Sequence, residues 1–162
     1  MHHIQWHKFC YTNYMTHLDQ KQIIVFVGLS GSGKSLATQA LADAGLPKIS
    51  TTDPTEAIKE LERLLGAGQR TVVIDGLNDL LTLRYLQRTY PKDVHTIAVM
   101  TERKLRKRRE PNMPSDEIDQ RDWDHVENYS LGAIIALADH FVTNNGTREE
   151  FLLKIHELVD SF

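Results

Sequence analysis

The segment Gly28-Leu29-Ser30-Gly31-Ser32-Gly33-Lys34-Ser35 constrains this chain more than any other. It satisfies G-x-x-x-x-G-K-[ST] at each fixed position and follows Ile23–Val27, a continuous β-branched and aromatic run. Such a run predicts a strand buried on both faces. A helix is expected over Lys34–Ala44, ended by Gly45 and Pro47. Strand, glycine-rich turn and helix start, in that order, form a phosphate cradle. Gly31 and Gly33 remove side chains where backbone N–H groups must converge on oxygens, and the helix start adds its positive dipole end. Gly28, Ser30, Gly31, Ser32, Gly33, Lys34 and Ser35 are therefore the candidate nucleotide-binding residues. Lys34 would reach the β- and γ-phosphates, and the Ser35 hydroxyl would ligate Mg²⁺. A flexible Gly/Ser turn is the alternative, and it leaves the flanking strand and helix unexplained.

Strand and helix signals alternate beyond this point. Further strands are expected at Lys48–Thr51, Thr71–Ile74, Val94–Met100 and Phe141–Thr143. Asp53-Pro54-Thr55-Glu56 reads as a helix start, with the acid at the cap, Pro at the first position and Glu at the third. That helix runs to about Leu65 with Ala57, Leu61, Leu64 and Leu65 as its apolar stripe. Other helices are expected over Asp79–Arg88, Glu102–Glu110 and Asp116–Ala138, the last interrupted near Ser130–Gly132. Thr147-x-x-Glu150 caps a final helix ending near Val159. Five strands separated by helices predict an α/β fold with a parallel sheet and right-handed crossovers.

The chain has 162 residues, 41% of them hydrophobic and 25% charged, which suits one domain and excludes global disorder. With 19 basic and 22 acidic residues there is no reason to expect bulk attraction to nucleic acid or anionic membrane. Cys10 stands alone, so neither an intrachain disulfide nor a cysteine-cluster metal site is available. The longest apolar runs are too short to span a bilayer, and the expectation is a cytoplasmic protein. Residues 1–21 differ from the rest: His2, His3, His7 and His17 accompany Trp6, Phe9, Tyr11 and Tyr14 without helical or strand periodicity. They read as a loosely packed extension to the domain at 22–162, or as an arm for a metal or a partner.

Thr71-Val72-Val73-Ile74-Asp75 is an apolar strand ending in an acid. At the carboxyl end of a parallel strand, Asp75 would face the phosphate loop and hold Mg²⁺ directly or through water. Before Gly76 it is also a plausible turn or capping residue.

With the loop and this strand in place, the chain resembles P-loop small-molecule kinases of the adenylate kinase-like superfamily. It is most similar to dephospho-CoA kinases and the archaeal proteins related to them. The resemblance covers about Ile23 to Leu158 and includes the Asp75-Gly76 pair. Its most specific piece is Ile135-Ala-Leu-Ala-Asp139-His-Phe-Val-Thr-Asn144-Asn145-Gly146-Thr147, which looks like that group's closing strand and turn. The resemblance implies a three-layer sandwich with sheet order 2-3-1-4-5, ATP with Mg²⁺ as cofactors, and a small-molecule phosphate acceptor. It also implies that Asn144 and Gly146 lie against the adenine.

In this family a lid supplies arginines to the transferred phosphates. Glu102-Arg-Lys-Leu-Arg-Lys-Arg-Arg-Glu110 occupies that place, within a lid of about residues 102–116. Arg106 and Arg109 share a helix face and match the paired lid arginines best. A solvated basic helix and an RNA-contacting patch are the other readings, since six of these nine residues are basic. Related kinases carry an acid after the second strand that takes the acceptor hydroxyl's proton. Asp53 stands there, though its place before Pro54 equally makes it an ordinary cap.

The acceptor side is thin. Only residues 52–70 separate the second and third strands. Relatives often place an Arg just after Asp-Gly, whereas here Leu77-Asn78-Asp79 follows and Arg84 comes later, with nothing to fix its direction. The loop together with Ala40-Leu-Ala-Asp-Ala-Gly45 also resembles the nucleotide-binding domain of bacterial RNase-adapter proteins. That similarity implies a nucleotide-binding regulator with little or no kinase activity.

Overall fold

The computed structural model describes residues 21–162. The expected extension over residues 1–21 lies outside them except for Lys21. Five parallel strands form one sheet: β1 (Gln22–Val27), β2 (Lys48–Ser50), β3 (Thr71–Asp75), β4 (Val94–Met100) and β5 (His140–Thr143). Their order is β2-β3-β1-β4-β5, as the resemblance implied. The helices among the described residues are α1 (Lys34–Asp43), α2 (Pro54–Gly66), α3 (Leu80–Thr89), α4 (Arg103–Arg109), α5 (Ser115–Asn128), α6 (Leu131–Ala136) and α7 (Arg148–Val159).

Alternation along the buried strands assigns the helices to two layers. Ile23, Val25 and Val27 join Val72, Ile74, Leu61 of α2, Leu83 and Leu86 of α3, and Ile134 of α6 in one core. Ile24 and Phe26 join Val73, Ile97, Leu41 of α1, and Phe151 and Ile155 of α7 in the other. A strand buried on both faces has no polar positions to spare, which explains why β1 reads as an unbroken apolar run.

Local signals set most boundaries. The Asp53 carboxylate accepts hydrogen bonds from the Thr55 and Glu56 amides at 2.8 and 3.1 Å, with Pro54 at the first helical position. Thr147 and Glu150 form a reciprocal capping box on α7. The expected helix over Asp116–Ala138 is two helices, α5 and α6, divided at Ser130, whose φ is +55°. One left-handed residue turns the chain so that Leu131 and Ile134 reach the core.

β1 pairs with β3 on one side and β4 on the other, with Phe26 level with both Asp75 and Ile97. The phosphate loop therefore leaves the middle of the sheet beside the ends of β3 and β4, where ligands of open parallel sheets collect.

Candidate functional site

Gly28–Gly33 curls between β1 and α1, with Gly31 at φ +73° and Gly33 at φ +108°. Among the described residues, the Gly31 and Gly33 amides donate to no protein acceptor. Unpaired donors beside a helix start are what an incoming oxyanion requires. A Cβ on Gly33 would fall on Asn144 Nδ2, so this position accepts only glycine.

A cavity of about 540 Å³ opens beside this loop. Gly31, Lys34 and Ser35 line one part of it, and Arg109, Gly146 and Arg148 another. Lys34 folds back on the loop, donating from Nζ to the carbonyls of Gly28 and Leu29 at 2.8 and 3.1 Å. Burial pushes its pKa down, Asp75 opposes that, and Arg106 and Arg121 add to it. An ammonium beside two guanidinium groups gains from any anion that enters.

Asp75 ends β3 with its carboxylate toward α1. Its Oδ2 accepts from Thr38 Oγ1 at 3.0 Å and lies 3.9 Å from Lys48 Nζ. Oδ1 has no hydrogen-bond partner among the described residues. Ser35 is exposed one turn before Thr38. No group of three or more metal-ligating side chains occurs among the described residues. A Ser hydroxyl and one carboxylate suit an ion that keeps its water and phosphate oxygens, as Mg²⁺ does.

Helix α4 lies across the loop, and its two inward arginines differ. Arg106 is buried: Nη1 and Nη2 bond the two Asp122 oxygens at 2.9 and 2.6 Å, and Nη1 also reaches the Ser30 carbonyl at 3.2 Å. Arg109 is exposed and lines the cavity, donating to the Asn144 carbonyl at 2.8 Å. They share one helix face, as their spacing predicted, and that face is turned to the loop, but Asp122 takes both Nη atoms of Arg106, whereas Arg109 lines the cavity. Lys104 and Arg108 lie on a separate patch with Arg103 and Lys107. Asp119 pairs with both Arg103 and Lys107, so α5 neutralises much of the basic run.

Asn144 is buried and donates from Nδ2 to the Ser32 carbonyl at 2.8 Å. It thus sits beneath the phosphate loop and also lines the cavity beside it, as does Gly146, the other residue the resemblance places against adenine. Asp53 holds its helix cap. After Asp75-Gly76, Leu77 enters the core, Asp79 caps α3 by accepting from the Thr82 amide and hydroxyl, and Arg84 is exposed.

Sequence reasoning missed Glu110, Arg121 and Arg148. Glu110 and Arg148 line the cavity, and Arg121 forms a bidentate pair with Glu110. The charges of Arg121 and Asp122 were visible; their partners, on another helix, were not.

No family model matches the chain. A UPF0200 protein of Thermococcus kodakarensis is 26% identical over 179 residues, spanning 85% of this chain and 96% of the relative. One from Saccharolobus solfataricus is 27% identical over 175 residues, spanning 86% and 93%. Among solved structures, a sugar kinase from Janibacter superposes with a TM-score of 0.61 at 16% identity, over 86% of this chain and 95% of that one. Shikimate kinase from Bacteroides thetaiotaomicron gives 0.55 at 15% identity, over 86% and 98%. The chain therefore has the fold of these P-loop kinases.

Proposed function

We propose that the chain is an ATP- and Mg²⁺-dependent phosphotransferase acting on a small nucleotide-like acceptor, of the dephospho-CoA kinase-like type. One observation carries this reading: unpaired loop amides, Lys34, Ser35 and Arg109 converge on a single open cavity. Each is a donor or a cation, and together they suit a triphosphate.

Phosphoryl transfer is mostly positioning and charge neutralisation. The loop amides and Lys34 hold the triphosphate, with Lys34 leaving the Gly28 and Leu29 carbonyls for phosphate oxygens. Ser35 and Asp75 would hold Mg²⁺, which would supply charge neutralisation on the phosphates. Arg109, from a lid built on α4, neutralises charge on the moving group, and Arg106 fixes that lid to the loop and to Asp122. Asn144 supports the loop and Gly146 leaves room for the base. As the acceptor oxygen bonds to the γ-phosphorus, the bond to the β–γ bridging oxygen breaks and ADP leaves. The acceptor proton goes to Asp53, whose cap geometry leaves one oxygen free, or to water.

A second reading is favoured by the acceptor side, where Leu77 is in the core, Asp79 is a cap and Arg84 is exposed. Among these residues no cation is fixed toward the cavity. On this reading the chain is a nucleotide-binding switch or RNase-adapter-like protein. Purified protein with MgATP, screened against dephospho-CoA and nucleoside monophosphates, separates the two. A phosphorylated acceptor is expected; binding without turnover supports the switch. Lys34→Ala should cut binding or turnover severely while the fold persists, and unchanged binding would overturn both readings.

A further inference from the structure

Glu110 ends α4 and holds a position that an ordinary lid residue does not. Its carboxylate takes both arms of Arg121, Nη1 to Oε2 at 2.7 Å and Nη2 to Oε1 at 2.8 Å. The same Oε1 stands 2.7 Å from the point where a Cβ on Gly31 would lie. Glu110 thus rests on the bare backbone of the phosphate loop, and among the described residues it is the one acid lining that cavity. The Arg121 hydrogen bonds hold its carboxyl below the ordinary carboxylate range, so it is charged at neutral pH. Arg121 thus stands one carboxylate away from the phosphate loop, held there by Glu110.

A carboxylate and a phosphate are both oxyanions, and each accepts the guanidinium fork in the same bidentate way. Gly31 has no side chain to keep an anion off, so the carboxylate and the triphosphate compete for the space above it. We infer that Glu110 is a built-in anion on the phosphate loop, displaced when nucleotide binds, and that Arg121 then passes from the carboxylate to a phosphate. Unliganded, the loop and its cations keep a partner; liganded, the lid gains an arginine from α5 that the basic run of α4 does not supply. This inference rests on the nucleotide-binding reading of the same cavity.

The test is MgATP affinity by calorimetry on the full chain. Glu110→Gln and Glu110→Ala should each bind MgATP roughly five- to fiftyfold tighter than the parent protein, the scale of one removed like charge in a partly screened site. Glu110→Asp keeps the charge but is one methylene short of Gly31, and should fall between. Glu117→Gln, on the exposed side of α5, removes a charge elsewhere and should change nothing. Without ligand, the Gly31 amide resonance should move in Glu110→Gln and stay in Glu117→Gln. Adding Arg121→Ala to Glu110→Ala should weaken binding again by about tenfold or more. Unchanged or weaker binding by Glu110→Gln overturns the competing anion, even if Lys34→Ala still abolishes binding. Equal binding by Glu110→Ala and the double variant overturns the hand-over. If no variant binds MgATP, this inference and the nucleotide reading both fall.

Discussion

Asn144 donates its side-chain amide to the Ser32 carbonyl, 112 residues away in sequence, at 2.8 Å. That bond ties the phosphate loop to the end of the edge strand β5. Thr101 Oγ1 donates to the same carbonyl, also at 2.8 Å. The loop's curvature is therefore set by Thr101, just past β4, and Asn144, just past β5, as well as by its own glycines.

Gly33 and Asn144 should behave as one unit. Gly33→Ala must place a methyl on Asn144 Nδ2 at a φ of +108°, and should cost about 2–4 kcal/mol with loss of nucleotide binding. Asn144→Ala leaves Thr101 on the Ser32 carbonyl and should cost about 1–2 kcal/mol. Asn144→Asp sets an acceptor against an acceptor in a buried place and should cost more. Denaturant melts of the three variants check this order, and equal stabilities would contradict it.

The Arg106–Asp122 pair should report on stability. Asp122→Ala leaves a buried guanidinium with, among the described residues, only the Ser30 carbonyl as partner, and should cost about 2–4 kcal/mol. Replacing both, as Arg106→Met with Asp122→Leu, should recover much of that loss, since no stranded charge remains. Melting temperatures of Arg106→Met, Asp122→Leu and the pair give the coupling. Independent, additive losses would show that the two side chains do not act together.

Arg109 should matter for transfer and little for folding. Arg109→Ala should lower kcat by roughly tenfold to a thousandfold with a smaller effect on ATP affinity. Arg109→Lys keeps the charge without the fork and should already be impaired. Lys104→Ala and Arg108→Ala, on the far patch, should be nearly neutral. Steady-state kinetics at two salt concentrations distinguish placement from field: equal, salt-dependent losses in the three alanine variants, with Arg109→Lys unimpaired, would reduce α4 to a diffuse basic surface.

Asp53 separates capping from chemistry. Asparagine caps a helix about as well as aspartate, so Asp53→Asn should leave the melting temperature almost unchanged. Asp53→Ala loses the bonds from Thr55 and Glu56 and should cost about 1 kcal/mol. If Asp53 takes the acceptor proton, Asp53→Asn should lower kcat at least tenfold at full stability. Wild-type turnover by Asp53→Asn would leave the residue a cap alone.

Local chemistry made several features readable in advance. The phosphate loop is specified by adjacent residues whose backbone must curl and whose neighbours cannot intrude. Unbroken apolar runs marked β1 and β3 because a strand covered on both sides can carry nothing else. Asp53-Pro54 and Thr147-x-x-Glu150 fixed helix starts because a cap's partners lie two or three residues ahead. The sheet order came by resemblance, since period and spacing say which segments are strands and not which strands are neighbours. Tertiary structure alone decided the division of labour among the charges. Arg106 and Arg109 look equivalent on a helical wheel, yet Asp122, 16 residues beyond Arg106, binds one and not the other. Glu110 looked like the end of a basic helix until Arg121 and Gly31 were seen on either side of it. Such pairings depend on where α4 and α5 meet in space, and Arg106, the one buried residue of α4, reaches Asp122 only through that meeting, which helical spacing within either segment does not encode.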